Sequence, residues 1–449
     1  MSDSGVVIVG GGSAGLATAG VLVRAGVRTT VVEQRATLGG AFHRQPAGAA
    51  KPVAISASAR RRFEGLMRGI SSPLLRLRTS SIFLGVDGDH NVLVEDRALG
   101  VVEKLRAGAI ILAVGAVEKV SPVPGWELPG VSTAGGLQVM MKETGMAPEG
   151  RVLLAGNGPL LVALAAQMIR LGHPPVAIVE AGNPVAAPFE ALGLLAHAGL
   201  LREAAGYAFN VLTSSVPWKR ASRLVRIDRA DGRLAARVRH AGGHEEVIVA
   251  DRIALHDGIR ENDIGLPSRS TDRRPFILRA GDCRQALGVL AAVADGERAG
   301  AEAAALLSGC TAALSRFEQR IGKQIAAQAL LARLFAPVIA PLPLADLPDE
   351  AVLCRCEGRT VGDLRALLAV RDGLSGREVK HNGRFAMGSC QGRFCAANTA
   401  ALMAKLRPDM PTPRPEDLTG RRWPVRPVSI SALVGATSDH KTNDQEVKS

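Results

Sequence analysis

Short, fully apolar runs alternate along the chain with longer stretches that carry helical spacing. The run Val6-Val7-Ile8-Val9 is apolar on both faces and mostly β-branched, which predicts a buried parallel strand. It passes directly into Gly10-Gly11-Gly12-Ser13-Ala14-Gly15, where a helix is expected from about Ser13 to Ala25, and a second strand is expected over 28–32, ending at Glu33. Residues 51–77 read as an Arg-rich helix with Ser56 or Ser58 as cap. A strand over 77–83, a turn at Asp87-Gly88-Asp89 and a strand over 91–95 follow, then a buried apolar strand over 109–116. The Pro-rich stretch 121–130 marks a crossing, and the opening theme then returns. A strand over 151–155 meets Gly156-Asn157-Gly158-Pro159-Leu160-Leu161, a helix runs to Leu171, and a strand over 176–179 ends at Glu180. Residues 223–257 alternate polar and apolar, as a small hairpin sheet does, while 276–283 and 287–307 read as strand and helix.

The doubled strand–glycine–helix–strand–acid unit carries the first chemistry. In Gly10-x-Gly12-x-x-Gly15 the first glycine permits the tight turn and the second lets a pyrophosphate approach the backbone. The third lets helix pack on strand. The helix N-terminus offers free N–H groups and positive dipole to phosphates, and Glu33 is spaced to accept from a ribose hydroxyl. In the second copy Leu161 stands where the third glycine belongs, which argues against ordinary nicotinamide use, and Glu180 would repel a 2′-phosphate.

The 449 residues suffice for two or three cored domains, and 47% of them are hydrophobic. The net charge of +13 raises the question of nucleic acid. Lys and Arg are scattered, with no basic run longer than 60–62, and aromatic residues are only 3%, so anionic cofactors, acidic proteins or an anionic membrane surface are favoured and nucleic acid is not. No leader and no membrane-length apolar segment is read, so a cytoplasmic protein is expected, with attachment at the inner membrane face as an option.

A Pro-rich linker over 335–350 precedes Cys354-Arg355-Cys356, and thirty-three residues later comes Cys390-Gln391-Gly392-Arg393-Phe394-Cys395. Four thiolates can close a tetrahedral zinc site or hold a [2Fe–2S] cluster. Thr360-x-x-Asp363 predicts a capped helix after the first pair, and a helix is expected to start at Cys395. Cys283 and Cys310 have no partner at ligand spacing and read as ordinary buried thiols. Beyond Pro408 a basic, Pro-rich stretch leads to a polar tail, with Trp423 suited to docking on another surface.

The run from Glu33 to Gly39-Gly40 resembles the start of two-dinucleotide-binding-domain flavoproteins. With the repeat at 156–160, Gly281-Asp282, Cys354-Arg355-Cys356-Glu357 and Met387-Gly388-x-Cys390-Gln391-Gly392-Arg393-x-Cys395, the chain resembles one family from Val6 to about Val428. That family comprises the B component of hydrogen cyanide synthase, the A component of opine oxidase and the matching component of D-hydroxyproline dehydrogenases. One departure is His381–Ala386, where its members usually carry an Arg-Cys-Gly-Met-like approach.

The resemblance implies an α/β, Rossmann-like flavoprotein with a discontinuous FAD domain over 1–120 and 266–335 and a second nucleotide-binding domain over 121–265. A small helical domain over 350–410, similar to bacterioferritin-associated ferredoxin, and an extended tail over 411–449 complete it. FAD is then expected on Gly10, Gly12, Ser13, Ala14 and Gly15, on Glu33 and Gln34, and on Gly39, Gly40 and Ala41. Ser81, Ala113, Gly115, Gly281 and Asp282 close over it, with Asp282 against the ribityl chain. A second nucleotide, NAD or ATP, would use Gly156, Gly158, Pro159, Leu160 and Glu180, and a further flavin could lie at a subunit interface. Iron is favoured over zinc, so Cys354, Cys356, Cys390 and Cys395 are the expected ligands of a [2Fe–2S] cluster. The implied role is electron transfer in a heteromeric amine dehydrogenase, with a partner flavin subunit similar to D-amino acid oxidases and a small ferredoxin-like subunit. Electrons would leave to a carrier or the respiratory chain, and no catalytic residue for amine oxidation is assigned in this chain. The competing reading is a stand-alone NADH-dependent flavin reductase feeding its own cluster.

Overall fold

The computed structural model describes residues 5–46, 48, 52–53, 56–371, 373–420 and 424–438; Trp423 and residues 439–449 lie outside them. Two five-stranded parallel sheets form the frame. In the first, Val6–Val9 lies between Thr29–Val32 and Ala109–Leu112, in register Val6 to Thr29 and Val6 to Ala109. Phe276–Arg279 and Leu75–Arg78 complete its two edges. The central strands are buried throughout, which is why they read as unbroken apolar runs. The helices Ser13–Arg24 and Val289–Leu307 pack together over this sheet.

The second sheet has the order Trp218–Lys219, Ala177–Glu180, Val152–Gly156, Arg252–His256, Val131–Thr133. Three differences from the sequence reading concern strand partners. The end of the expected 51–77 helix is instead the strand Leu75–Arg78, because the helix stops at Gly69. The expected strand 77–83 is split by Ser80, at φ 51°, so that Ser81–Val86 enters a separate antiparallel sheet. Within 223–257 only the first three strands form the hairpin sheet, and Arg252–His256 leaves it to pair in parallel with Val152–Gly156.

Helix Ser315–Leu334 joins the two halves. It touches the helix over the first sheet, yet Leu330, Leu331, Leu334 and Phe335 enter the core of the second. The cysteine-bearing unit has its own core around Leu353, Val361, Leu364, Phe385 and Leu402. Its helix Val361–Val370 begins with the expected capping box of Thr360 and Asp363, and Ala396–Leu406 begins at Cys395. The stretch expected as extended tail contains the helical turn Pro415–Thr419, whose Leu418 is buried in that same core. Val425 follows and donates its N–H to Leu84 O.

This unit sits on the crossing between the two sheets. Trp126, in the Pro-rich stretch, donates Nε1–H to Val352 O at 2.6 Å and is stacked on by the Arg355 guanidinium. Arg355 reaches Val131 O at 3.0 Å and Asn398 reaches Val120 O at 3.1 Å. Trp126→Phe keeps the ring and leaves Val352 O buried without its donor. Chemical denaturation should show a loss of about 1–3 kcal/mol, and an unchanged midpoint would deny this contact its role.

Candidate functional site

The first glycine loop is built by contacts too close for any side chain. A Cβ on Gly15 would lie 1.9 Å from Gly10 O, and one on Gly10 would lie 2.4 Å from Ala113 O. Gly40 faces Gly12 so closely that a Cβ there would meet Gly12 Cα at 2.8 Å. The turn Gly281–Asp282 packs its glycine on the Ala14 methyl, with room for nothing larger. Four separated segments (10–15, 39–40, 113–115 and 281–282) therefore converge on one cradle. Among the described residues, the N–H groups of Gly12, Ser13, Ala14 and Gly15 have no protein partner, and they point where an oxyanion is best held.

Glu33, 7% exposed, accepts from Gly11 N at 2.8 Å and Arg35 N at 2.9 Å. These bonds fix the carboxylate at the end of its strand, as a ribose-binding acid requires. Asp282 Oδ1 accepts from Leu287 N and Gly288 N, and burial raises its pKa. Asp295, not singled out by any motif, accepts from Gly281 N at 2.7 Å and so holds the turn. Of the other expected residues, Ser81 donates its N–H to Glu33 O and its hydroxyl to Thr79 O. Gln34 and Ala41 are exposed.

Sequence spacing missed the group beside Gly39-Gly40. Lys142, on helix Ala134–Thr144 of the second half, donates Nζ–H to Ala41 O, Phe42 O and Gln138 Oε1. Burial lowers its pKa to about 8. His43 is 1% exposed and stacks on Phe63, and both ring nitrogens lack partners among the described residues. Burial and the neighbouring Arg62 and Lys142 charges lower its pKa to about 4, so it is a neutral imidazole at pH 7. No local signal marks either residue: Lys142 meets Ala41 and Phe42 from the second half, and His43 is enclosed by Phe63, Arg62 and Lys142.

The second glycine loop keeps the shape of the first and loses its donors. Gly156, at φ 142°, is as crowded as Gly10, with a Cβ 1.8 Å from His256 O. Yet Asn157 N donates to His256 O, Gly158 N to Glu180 Oε1, and Leu161 N to Gly158 O. Pro159 has no N–H to give. Asn157 Nδ2–H donates to Phe335 O at 2.8 Å, Val338 N–H to Ala181 O, and Pro337 bridges to Gly182. The end of the long connecting helix and the linker after it thus run from the loop to the end of the Glu180 strand. That stretch lies beside Gly156, Gly158, Pro159, Leu160 and Glu180, and Asn157 Oδ1 and Glu180 Oε2 stay buried without a partner among the described residues.

The four cysteines of the small unit meet on two loops. A Cβ on Gly388 would lie 2.2 Å from Cys356 Cβ, so only glycine lets the second loop approach the first. Cys395 donates its S–H toward Cys354 and Cys390, and Cys356 donates toward Cys390. These bonds lower Cys354 to about 7 and Cys390 to about 5, while Cys395, holding the proton between them, is raised. Backbone N–H groups of Ala386 and Glu357 aim at Cys354, and those of Phe394 and Gly392 at Cys390. Such a set stabilises thiolate charge and fits a metal–sulfur group, with the N-terminal end of helix Ala396–Leu406 behind it. As arranged here, no group of three or more His, Cys, Asp or Glu side chains among the described residues could hold a metal ion; the four thiols form one hydrogen-bonded chain, Cys354–Cys395–Cys390–Cys356. Cys283 is buried and donates to Leu112 O, but Cys310 is exposed, contrary to the sequence reading. No second cysteine stands beside Cys283 for disulfide exchange.

The profile of the pyridine nucleotide-disulphide oxidoreductases matches residues 4–272, and the chain belongs to that family. Within it the chain is a flavoprotein oxidoreductase with an FAD-binding redox domain, related to subunits of two enzymes. It is 28% identical to the A subunit of opine oxidase from Rhizobium meliloti (strain 1021), over 96% of this chain and 99% of that protein. It is 29% identical to the hydrogen cyanide synthase subunit HcnB of Pseudomonas aeruginosa, over 95% and 97%. The fold is shared with L-proline dehydrogenase from P. horikoshii at a TM-score of 0.62, with 18% identity, 96% of this chain and 79% of that one. Among the described residues no helix is long and apolar enough to cross a membrane.

Glu180 gives the site a pH signature. Burial pushes its carboxyl up to about 8, against an ordinary 4.5. The folded state therefore holds the proton more tightly than the unfolded chain. The stability this contributes is complete below about pH 4.5 and is lost as pH rises toward 8. Glu180→Gln retains an acceptor for Gly158 and does not titrate. Unfolding measured from pH 4.5 to 8.5 should show the natural protein losing stability relative to the variant as pH rises, and parallel profiles would contradict the assignment.

Proposed function

We propose that this chain is the electron-transferring subunit of a heteromeric amine or amino acid dehydrogenase, of the opine, D-hydroxyproline or glycine-to-cyanide type. FAD is held by the cradle of Gly10–Gly15, Glu33, Gly39-Gly40 and Gly281–Asp282, and a [2Fe–2S] cluster by Cys354, Cys356, Cys390 and Cys395. These groups supply one- and two-electron chemistry. The chain's own residues bind and orient: the free amides of 12–15 take the pyrophosphate, Glu33 the ribose, and the N–H···S bonds the cluster charge. A partner flavin subunit, similar to D-amino acid oxidases, supplies the amine site.

One observation carries the reading. The first loop leaves the N–H groups of residues 12–15 unspent, while the second has spent those of Asn157, Gly158 and Leu161 on His256, Glu180 and its own turn, and Pro159 has none. A flavin reductase fed by NADH needs a working second loop, so the stand-alone alternative is disfavoured. The names of the relatives, each a subunit, support a partner.

The test uses the full chain, expressed with and without its neighbouring reading frames. Alone, it should carry FAD, give an EPR signal on reduction, turn over no glycine, opine, proline or D-hydroxyproline, and keep its flavin oxidised under millimolar NADH. Cys390→Ser should abolish the iron signal and leave FAD bound. Zinc without iron would overturn the cluster, rapid bleaching by NADH would restore the reductase reading, and amine turnover by the isolated chain would end the subunit reading.

A further inference from the structure

A cavity of about 390 Å³ lies along strand Phe276–Arg279 and helix Val289–Leu307, lined by Ser268, Arg269, Arg279, Arg284, Arg298 and Glu302. Its lining includes none of the cradle residues or the four cysteines, although Asp295 joins Arg284 and Arg298 to the Gly281 turn. We propose that it binds a small dianionic oxyanion, either a phosphate group or a compact dicarboxylate. The inference stands on this side-chain set alone and does not depend on the flavin or the cluster.

The charges around the cavity do not balance. Four guanidinium groups converge on it, and the carboxylates that reach them are Asp295 and Glu302. Both are already committed. Asp295 Oδ1 accepts from Arg284 at 2.8 Å and Arg298 at 2.6 Å, and its Oδ2 accepts from Gly281 N and Arg284 Nε. Glu302 accepts from Arg298 at 2.6 Å and from Arg269 at 2.5 Å. Two carboxylates against four guanidiniums leave the recess with two positive charges in excess.

Arg279 receives neither carboxylate. Its Nη2–H reaches Pro267 O at 3.3 Å, and its Nε is buried with no partner among the described residues. With no carboxylate on Arg279, an anion in the cavity would relieve the like-charge repulsion among the four guanidinium groups. Guanidinium is the group best shaped for this, since its planar fork holds two oxygens of a phosphate or carboxylate at once.

The ion pairs that hold the lining are also preorganised. The Asp295, Arg298 and Glu302 side chains are 4%, 12% and 12% exposed and locked to one another, while Arg269 and Arg284 form the more open rim. Leu278 is the single apolar lining residue, and no aromatic ring is present for a base to stack on. The size and lining suit an anionic head group rather than a nucleotide.

The experiment titrates the FAD-loaded full chain with inorganic phosphate and, separately, with succinate, at ionic strength held constant by KCl. Calorimetry and thermal unfolding are read together. A saturable heat and a melting temperature that rises with the logarithm of anion concentration are expected with at least one of the two; which one responds identifies the head group. Arg279→Ala should abolish both signals. Arg279→Lys, a point charge without the fork, should bind about tenfold more weakly. Should Arg279→Ala not fold, Arg269→Gln on the exposed rim should weaken binding several-fold, and Arg273→Ala, outside the lining, should leave it unchanged. The Arg279 variants also separate this cavity from the glycine cradle if the chain purifies without flavin. Responses no larger than those to KCl, or full binding by Arg279→Ala or Arg269→Gln, would overturn the proposal.

Discussion

Backbone approaches backbone at Gly10, Gly15 and Gly296 more closely than a β-carbon would permit, and the first half of the fold depends on that approach. The Ala14 carbonyl would lie 2.2 Å from a Cβ on Gly296, and the Gly10 carbonyl 1.9 Å from one on Gly15. Strand, opening helix and the Val289–Leu307 helix can therefore close on one another without side chains between them. What the closure leaves over is a row of amide hydrogens with nothing to bond. Folding ordinarily spends such donors, so a row kept free is a structural cost that binding must offset.

The two glycine loops make the point by contrast. They share strand, turn, helix and terminal acid, and in sequence they differ at one prominent position, Leu161. The decisive change is less visible. A proline removes one donor, a shifted hydrogen bond gives another to Glu180, and the chain returns from a helix far along the sequence to lay Phe335–Val338 across the opening. The same supersecondary unit is thus an anion site in one copy and a packed scaffold in the other, which is the general lesson that function resides in sites and not in folds.

Local sequence signals were reliable wherever the governing interaction is local. The strand 6–9, the fingerprint, Glu33 at the end of its strand, the Ser56 cap and the Thr360–Asp363 box are settled within a few residues, and each was legible. Some misses are local, such as the helix end at Gly69 and the break at Ser80, and others are long-range. Arg252–His256, grouped with its hairpin neighbours in the sequence reading, carries the unbroken apolar run Ile253-Ala254-Leu255 and pairs with a parallel strand, Val152–Gly156, from far earlier in the chain. Leu418 looks like part of a loose tail until the cysteine unit buries it. Cys310 is exposed because its helix ends at Leu307, short of the core. Lys142 acquires its perturbed chemistry only when the two halves meet, His43 owes its own to burial and to Arg62 before Lys142, and the excess charge around Arg279 exists only once strand and helix are side by side.

The seating of the cysteine unit has a mechanical consequence. Two sheets joined by a thin crossing would ordinarily be free to twist against each other. Here Val352, Arg355 and Asn398 grip the crossing at Val120, Trp126 and Val131, and Arg393 ties the loop between Cys390 and Cys395 to Asn262, just after the short strand Ile259–Glu261. Asn262 in turn donates to Val114 O, beside the first cradle. The small unit acts as a splint bolted across a joint. Through it one run of hydrogen bonds, from Arg393 through Asn262 to Val114, joins the sulfur loops to the glycine cradle.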